Sequence, residues 1–496
     1  MHHQFTSISK LIYMLHFRKI NLLILFSILT FSISCKDKQV DPVDDVDPAS
    51  AATYPAVNTW IYEMMNDAYF WYSQMPAETT LDTKKDPDDY FEKLIYQRSN
   101  VDRFSMLTDD VDALQNSFDG INKIFGISYT LSYTDDTNSN LGLFLNHVVK
   151  GSPAEKAGLK RGDIVMKVNG TQLTKDNYST LLGQSESVTF TLGSLAGTTI
   201  TPTTTNISIT KAVVNEDPVA FSTVIDKSAS GKKIGYLLYT QFVPGTETDA
   251  NKYDNELRQV FADFKNAGIN ELVLDLRFNS GGYISSAKTL ASLIGKNISA
   301  SKVFYKEQWN DKYMAYWQKT KGSNALNYNF LSEANNVGSS LNRVFVLTSQ
   351  ATASASELVI NGLKPYMEVI TIGDHTAGKN LFGSLISDDQ NRWKWGIYMM
   401  LGQTANVNGE SDYGTANGIT PMYKIDDSTI PYKAFANENE TLFRKALDIM
   451  GVPASISTKT EAAKSITNVF AESFRDNLQQ RSKHMIKTEV FPVANH

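Results

Sequence analysis

Cys35 is the single cysteine in 496 residues, which excludes an intrachain disulfide framework and any cysteine-based zinc ribbon. Positive charge is also short. Lysine and arginine number 47 against 53 acidic residues, and dropping the first 34 residues, which hold three bases and no acid, leaves 44 against 53. That balance cannot neutralise a phosphate backbone wholesale, so no nucleic-acid partner is expected. Beyond residue 34 histidine is confined to His147, His375, His484 and His496, without metal-ligand spacing, so neither a metal nor a cofactor is expected. No apolar run is long enough for a comfortable transmembrane helix. What is present is the composition of a folded chain, 42% hydrophobic, long enough for two to four domains.

Arg18 and Lys19 precede a weakly polar and apolar run of 14 residues, 20–33, that meets small Ser34 and Cys35. This is the order of a signal peptide's basic, apolar and cleavage regions. It looks like a bacterial lipoprotein signal over 1–34, with Cys35 as the lipidated first residue of the mature chain and a membrane anchor as the consequence. Ser32 departs from the leucine usual at that place, and Met14 offers a second start with normal signal dimensions. Residues 35–52 carry Asp37, Asp41, Asp44, Asp45 and Asp47 with Pro42 and Pro48, a composition of a tether rather than a core. The tether resembles those that route Bacteroidetes lipoproteins outward, which implies the cell envelope, at the outer membrane, on its periplasmic or surface face.

Residues 53–117 read as a small helical domain. Val57, Trp60, Ile61, Met64, Ala68 and Trp71 recur at helical spacing, and Asp86-Pro87 supplies a cap and a first-turn proline for a second helix bearing Tyr90, Phe91, Leu94 and Ile95. Residues 118–215 change to short β-rich runs. Within them Gly151-Ser152-Pro153-Ala154-Glu155-Lys156-Ala157-Gly158 and Arg161-Gly162-Asp163, followed by a strand into Asn169-Gly170, resemble a PDZ domain. Such domains hold a peptide C-terminus by strand addition, and the resemblance puts Phe125, Gly126 and Ile127 at the carboxylate loop. Packing against a neighbour is the plainer alternative.

From 216 to 455 strands and helices alternate, as expected for an α/β domain with a mostly parallel sheet whose functional loops lie at the strands' C-terminal ends. Three loops stand out. Asp275-Leu276-Arg277-Phe278-Asn279-Ser280-Gly281-Gly282 ends in paired glycines that let backbone N–H groups face an oxyanion. Ala351-Thr352-Ala353-Ser354-Ala355-Ser356-Glu357 sets Ser354 at a strand-to-helix junction, where it is either a reactive hydroxyl or a simple helix cap. Gly373-Asp374-His375-Thr376-Ala377-Gly378-Lys379-Asn380 nearly spells a phosphate-binding loop. Asn380 replaces the required hydroxyl, and 381–387 reads as a strand, so no helix N-terminus is offered to phosphate.

Taken together, these loops resemble the C-terminal processing, or tail-specific, serine peptidase family, over the PDZ segment and most of 216–450, including Gly418-Ile419-Thr420-Pro421. The resemblance implies Ser354 as nucleophile, Lys379 as general base 25 residues downstream, and Ala355, Gly281 and Gly282 as oxyanion donors. Residues 53–115, with Asp102-Arg103-Phe104-Ser105, look like the N-terminal domain of the Bacteroidetes-type members. One position departs: Gly383 stands where many relatives carry a glutamine that orients the lysine, so Ser384 or a backbone carbonyl would have to hold Lys379.

An ordinary lysine, with a pKa of about 10.4, cannot take a serine's proton at neutral pH, and bringing it near neutrality costs about 4 kcal/mol of lost charge solvation. Lys379 must then sit in an apolar, dry pocket, to which Leu381 and Phe382 are neighbours in sequence. A solvent-facing lysine is the bland alternative, and His375 the alternative base of a Ser-His-Asp triad. The expectation is a multidomain α+β lipoprotein endopeptidase acting on peptide or protein substrates. Its rival is a catalytically silent peptide-binding lipoprotein of the same architecture. Over 456–496, Ile466, Val469, Phe470 and Phe474 fall on one face of an expected helix.

Overall fold

The computed structural model describes residues 53–454, apart from 136 and 184, together with 464–465, 469–473 and 484–486. The expected signal peptide, Cys35 and the acidic tether lie outside the described residues.

Tyr54–Ala68 (α1) carries Pro55 in its first turn and buries Val57, Trp60, Ile61, Met65 and Ala68. Pro87–Leu94 (α2) opens as its sequence predicts, the Asp86 carboxylate accepting the Asp88 N–H at 3.0 Å. These helices close no separate core. Their buried side chains share a cluster with Leu237, Phe261 and Leu290 of the α/β domain, because so short a segment buries too little surface alone. The same segment contributes a strand, Met106–Thr108 (β1), to a sheet of that domain.

The β-rich region forms an antiparallel sheet of Ile127–Tyr133 (β2), Leu141–Val148, Ile164–Val168, Ser187–Ala196 and Thr199–Thr210 around Phe125, Leu143, Val165 and Phe190. Buried charge fastens it to the α/β domain. Arg161 reaches Glu440 at 3.1 Å, and Arg277 reaches the same carboxylate at 2.5 Å and Asp427 at 2.7 Å. Shared carboxylates keep neither guanidinium buried without a counter-charge.

In the α/β domain, Val219–Lys227, Lys232–Tyr239, Glu271–Asp275, Arg343–Thr348, Glu368–Gly373 and Tyr423–Lys424 lie in that order, all pairs parallel except the first. The three candidate loops therefore leave the same sheet end. A second sheet holds Gly281–Tyr283 (β3), Leu381–Ser387 (β4) and Gly396–Ala405 (β5), and β1 pairs with β5. Ala355–Leu363 (α3) covers the parallel sheet with Leu358, Val359 and Ile360 buried. The loop 373–380 runs into β4 and not into a helix, as its sequence predicts.

The tail departs from expectation. Its described residues are strands, Lys464–Ser465, Val469–Ser473 (β6) and His484–Ile486 (β7), and not a helix; Ile466 and Phe474 lie outside the described residues. A four-residue apolar pattern does not separate the two periodicities. Val469 and Phe470 favour strands, and open sheet edges supply the backbone partners that make a strand stable.

Candidate active site

Ser354 stands where the loop after Arg343–Thr348 turns into α3. It is fully buried at φ 60° and ψ −111°, a conformation serine adopts only under constraint, and its hydroxyl makes no hydrogen bond. The constraint is Glu357, three residues on. Its Oε2 accepts the N–H of Ser354 at 2.6 Å and that of Lys379 at 2.9 Å. Its Oε1 accepts the Gly378 N–H at 2.7 Å and the Thr376 hydroxyl. One buried carboxylate thus ties the serine loop to the lysine loop. Burial pushes the Glu357 carboxyl above its ordinary value, while the four donors pull the other way. Sequence reasoning assigned Glu357 no role, although Ser-x-x-Glu is the spacing in which a glutamate caps its own helix start.

Lys379 is fully buried, away from water as the chemistry requires. Its Nζ donates to the Tyr398 hydroxyl at 3.1 Å and lies 4.9 Å from the ring centres of both Phe104 and Tyr398. The expected neighbours in sequence divide: Leu381 shares a cluster with Phe104 and Tyr398, whereas Phe382, on the opposite face of β4, packs on Trp309. Phe104 is brought in by the Asp102-Arg103-Phe104-Ser105 segment. Asp102 accepts the N–H groups of Phe104 and Ser105 and the Tyr69 hydroxyl, and Arg103 donates to the Gly378 carbonyl at 2.6 Å. The N-terminal segment therefore walls the lysine pocket. Burial pulls the Arg103 guanidinium below its ordinary value, and the nearby charge of Glu357 opposes that.

Gly383 has a steric cause. It lies at a register shift between β4 and β5, and a Cβ there would come within 2.4 Å of the Met399 carbonyl oxygen, so a glutamine would require the two strands to move apart. Tyr398, on β5, supplies a polar contact to the Lys379 amine. Tyr398→Phe is expected to lower kcat about tenfold with KM and Tm little changed, part of the range general-base catalysis spans; steady-state kinetics and calorimetry measure both.

The glycine pair divides. The Gly281 N–H donates to Asn279 Oδ1 at 2.9 Å and is not available to a substrate oxygen, which corrects the expectation that both glycines serve as donors. Gly282, at φ 135°, would bring a Cβ within 2.2 Å of the Phe242 carbonyl oxygen. Gly282→Ala is accordingly expected to displace β3 and cost about a hundredfold in kcat, the scale of one lost oxyanion donor, as single-turnover kinetics would register. Ala355 is the first residue of α3, so its N–H has no acceptor within the helix.

The remaining candidates lie apart. Phe125 and Ile127 belong to the core of the β-rich domain, where the Phe125 and Gly126 carbonyls accept the N–H groups of Ala154 and Val149, each at 2.9 Å. The His375 ring donates to the Thr376 carbonyl at 2.9 Å and makes no hydrogen bond to Ser354. His147 stacks on Phe278, with ring centres 5.3 Å apart. Among the described residues no group of histidine, cysteine, aspartate and glutamate has the arrangement of a metal site.

Three family models match the chain: the peptidase S41 N-terminal domain over 56–106, the PDZ domain over 145–192 and peptidase family S41 over 233–425. A carboxyl-terminal-processing protease of Synechocystis sp. is 23% identical over 343 residues, covering 68% of this chain and 71% of that one. A protein of the same name from Picosynechococcus sp. is 26% identical over 329 residues, covering 63% and 68%. The crystal structure of an S41 chain from Bacteroides fragilis superposes with a TM-score of 0.67 at 30% identity, spanning 79% of this chain and 97% of that one. With that identity over nearly the whole of the Bacteroides chain, and with all three models in order, this protein belongs to peptidase family S41 and is a serine peptidase with a PDZ domain.

Proposed function

We propose that the protein is an exported endopeptidase that hydrolyses peptide bonds with a Ser354–Lys379 dyad. The Lys379 amine takes the Ser354 proton as Oγ bonds to the scissile carbonyl carbon. N–H groups of Ala355 and Gly282 receive the developing oxyanion. The carbon–nitrogen bond breaks as Lys379 returns the proton to the leaving amine, and water, deprotonated by the same amine, hydrolyses the ester. The observation that carries this reading is the Glu357 carboxylate, which accepts the backbone N–H groups of the strained, unpartnered serine and of the buried lysine together. Cleavage of an unfolded protein such as β-casein, and labelling by a fluorophosphonate, are both expected to vanish in Ser354→Ala; activity surviving that change would reject the dyad.

The silent peptide-binding reading drew on Gly383, and the Tyr398 contact to Lys379 weakens that support. Peptide binding without any cleavage would restore it. In the proposed enzyme the PDZ domain receives substrate C-termini at the edge of β2, beside Phe125, Gly126 and Ile127. Export and lipid anchoring rest on residues 1–35, and loss of labelled palmitate in Cys35→Ser is the test.

A further inference from the structure

Of the three described tail strands, the two longer ones, β6 and β7, do not pair at random edges. In the β-rich sheet β6 is outermost and runs antiparallel to β2, with Ala471 opposite Leu131, Glu472 opposite Thr130 and Ser473 opposite Tyr129. Its chain direction therefore leads toward Ile127 and the loop at Phe125-Gly126. That is the edge and the direction a bound peptide takes when it joins a PDZ sheet as an added strand. In the second sheet β7 lies between β3 and β4. It runs parallel to β3, with His484 opposite Gly281, Met485 opposite Gly282 and Ile486 opposite Tyr283, and Ile486 also pairs with Gly383. The strand thus sits between the backbone that carries Gly282 and the strand that continues from Lys379.

From these two pairings we infer that the chain's own C-terminal strands β6 and β7 are an intramolecular ligand of both substrate-receiving surfaces, and that exogenous substrates must displace them. A peptide substrate needs the β2 edge for its backbone hydrogen bonds and the space between β3 and β4 for its scissile region. The tail holds both. Being tethered, it presents itself at a local concentration of about 1 mM, so a segment of about 0.1 mM intrinsic affinity raises the apparent KM of a competing substrate roughly tenfold without touching kcat. The inference rests on the assignment of the cleft to Ser354 and Lys379, but a binding measurement separates the two.

The test uses the mature chain, the same chain ending at residue 463, and a full-length Ala471→Pro/Met485→Pro variant, since proline removes ladder donors and disfavours strand pairing without shortening the tail. With β-casein as substrate, both altered proteins are expected to show a KM about tenfold lower and an unchanged kcat. A synthetic peptide of residues 464–496 is expected to restore the higher KM of the shortened chain. The same peptide, fluorescein-labelled, is expected to bind the shortened chain carrying Ser354→Ala. If nothing cleaves β-casein yet that peptide binds, the dyad falls and the tail assignment stands. An unchanged KM in both altered proteins overturns the inference. So does a shortened chain of unaltered Tm whose kcat collapses, since the tail would then complete the site. A wild-type KM that falls on dilution would put a second copy's tail in the groove and overturn the intramolecular form.

Discussion

Replacing Lys379 with methionine is expected to reduce kcat/KM by about four orders of magnitude, the scale seen when one member of a nucleophile–base pair is lost, while Tm holds or rises. Methionine has nearly the reach of lysine and suits the space among Phe104, Tyr398 and Leu381. It removes an amine whose burial is costly in its charged form, which offsets the loss of its hydrogen bond to the Tyr398 hydroxyl. The informative companion is Lys379→Arg. A guanidinium keeps a positive charge but does not give up its proton, so it is expected to be as inactive as methionine if Lys379 is a base. It would retain activity if only a charge were needed. Hydrolysis of β-casein and differential scanning calorimetry decide it; a methionine variant within tenfold of wild type sinks the mechanism.

Glu357→Gln is expected to damage stability and catalysis together. Four donors converge on the carboxylate, from Ser354, Thr376, Gly378 and Lys379. An amide of the same shape keeps one acceptor oxygen and turns the other position into a donor that faces N–H groups. The Thr376 hydroxyl can rotate to accept, but the backbone donors cannot. Leaving one or two of them buried without an acceptor costs about 2–4 kcal/mol. Because those N–H groups fix the serine and lysine loops, kcat is expected to fall about a hundredfold even where the variant is folded, as small displacements of reacting groups do. Equilibrium denaturation and kcat measured below Tm separate the two losses. A variant of wild-type kcat would remove Glu357 from its positioning role.

Much of the α/β domain was legible. The apolar runs at 272–276 and 344–348 and the helix start after Ser354 are local patterns, and right-handed alternation places their loops at one sheet end. Ser354 and Lys379 were readable through the resemblance, not through periodicity, which left the serine as a cap and the lysine as a surface residue. Tyr398 was half legible. Alternation along β5 separates Tyr398 and Met400, which face Leu381 and Phe104, from Ile397, Met399 and Leu401 in the larger core. That pattern shows a face, not the partner of a hydroxyl. The missing glutamine at 383 looked like a loss of function, but at that position β5 approaches so closely that a side chain would force the strands apart.

On its own, the sequence determined the order of domains, the parallel strands and the loops that end them, because these follow from residues near one another along the chain. Tertiary structure alone decided that Glu357 joins two loops, that Phe104 walls a pocket around a lysine 275 positions later, that Asn279 occupies the Gly281 N–H, and that the described tail residues are strand and not helix. Each depends on a sheet register or on an edge left open, and a backbone edge accepts almost any extended segment, so no local pattern names its occupant.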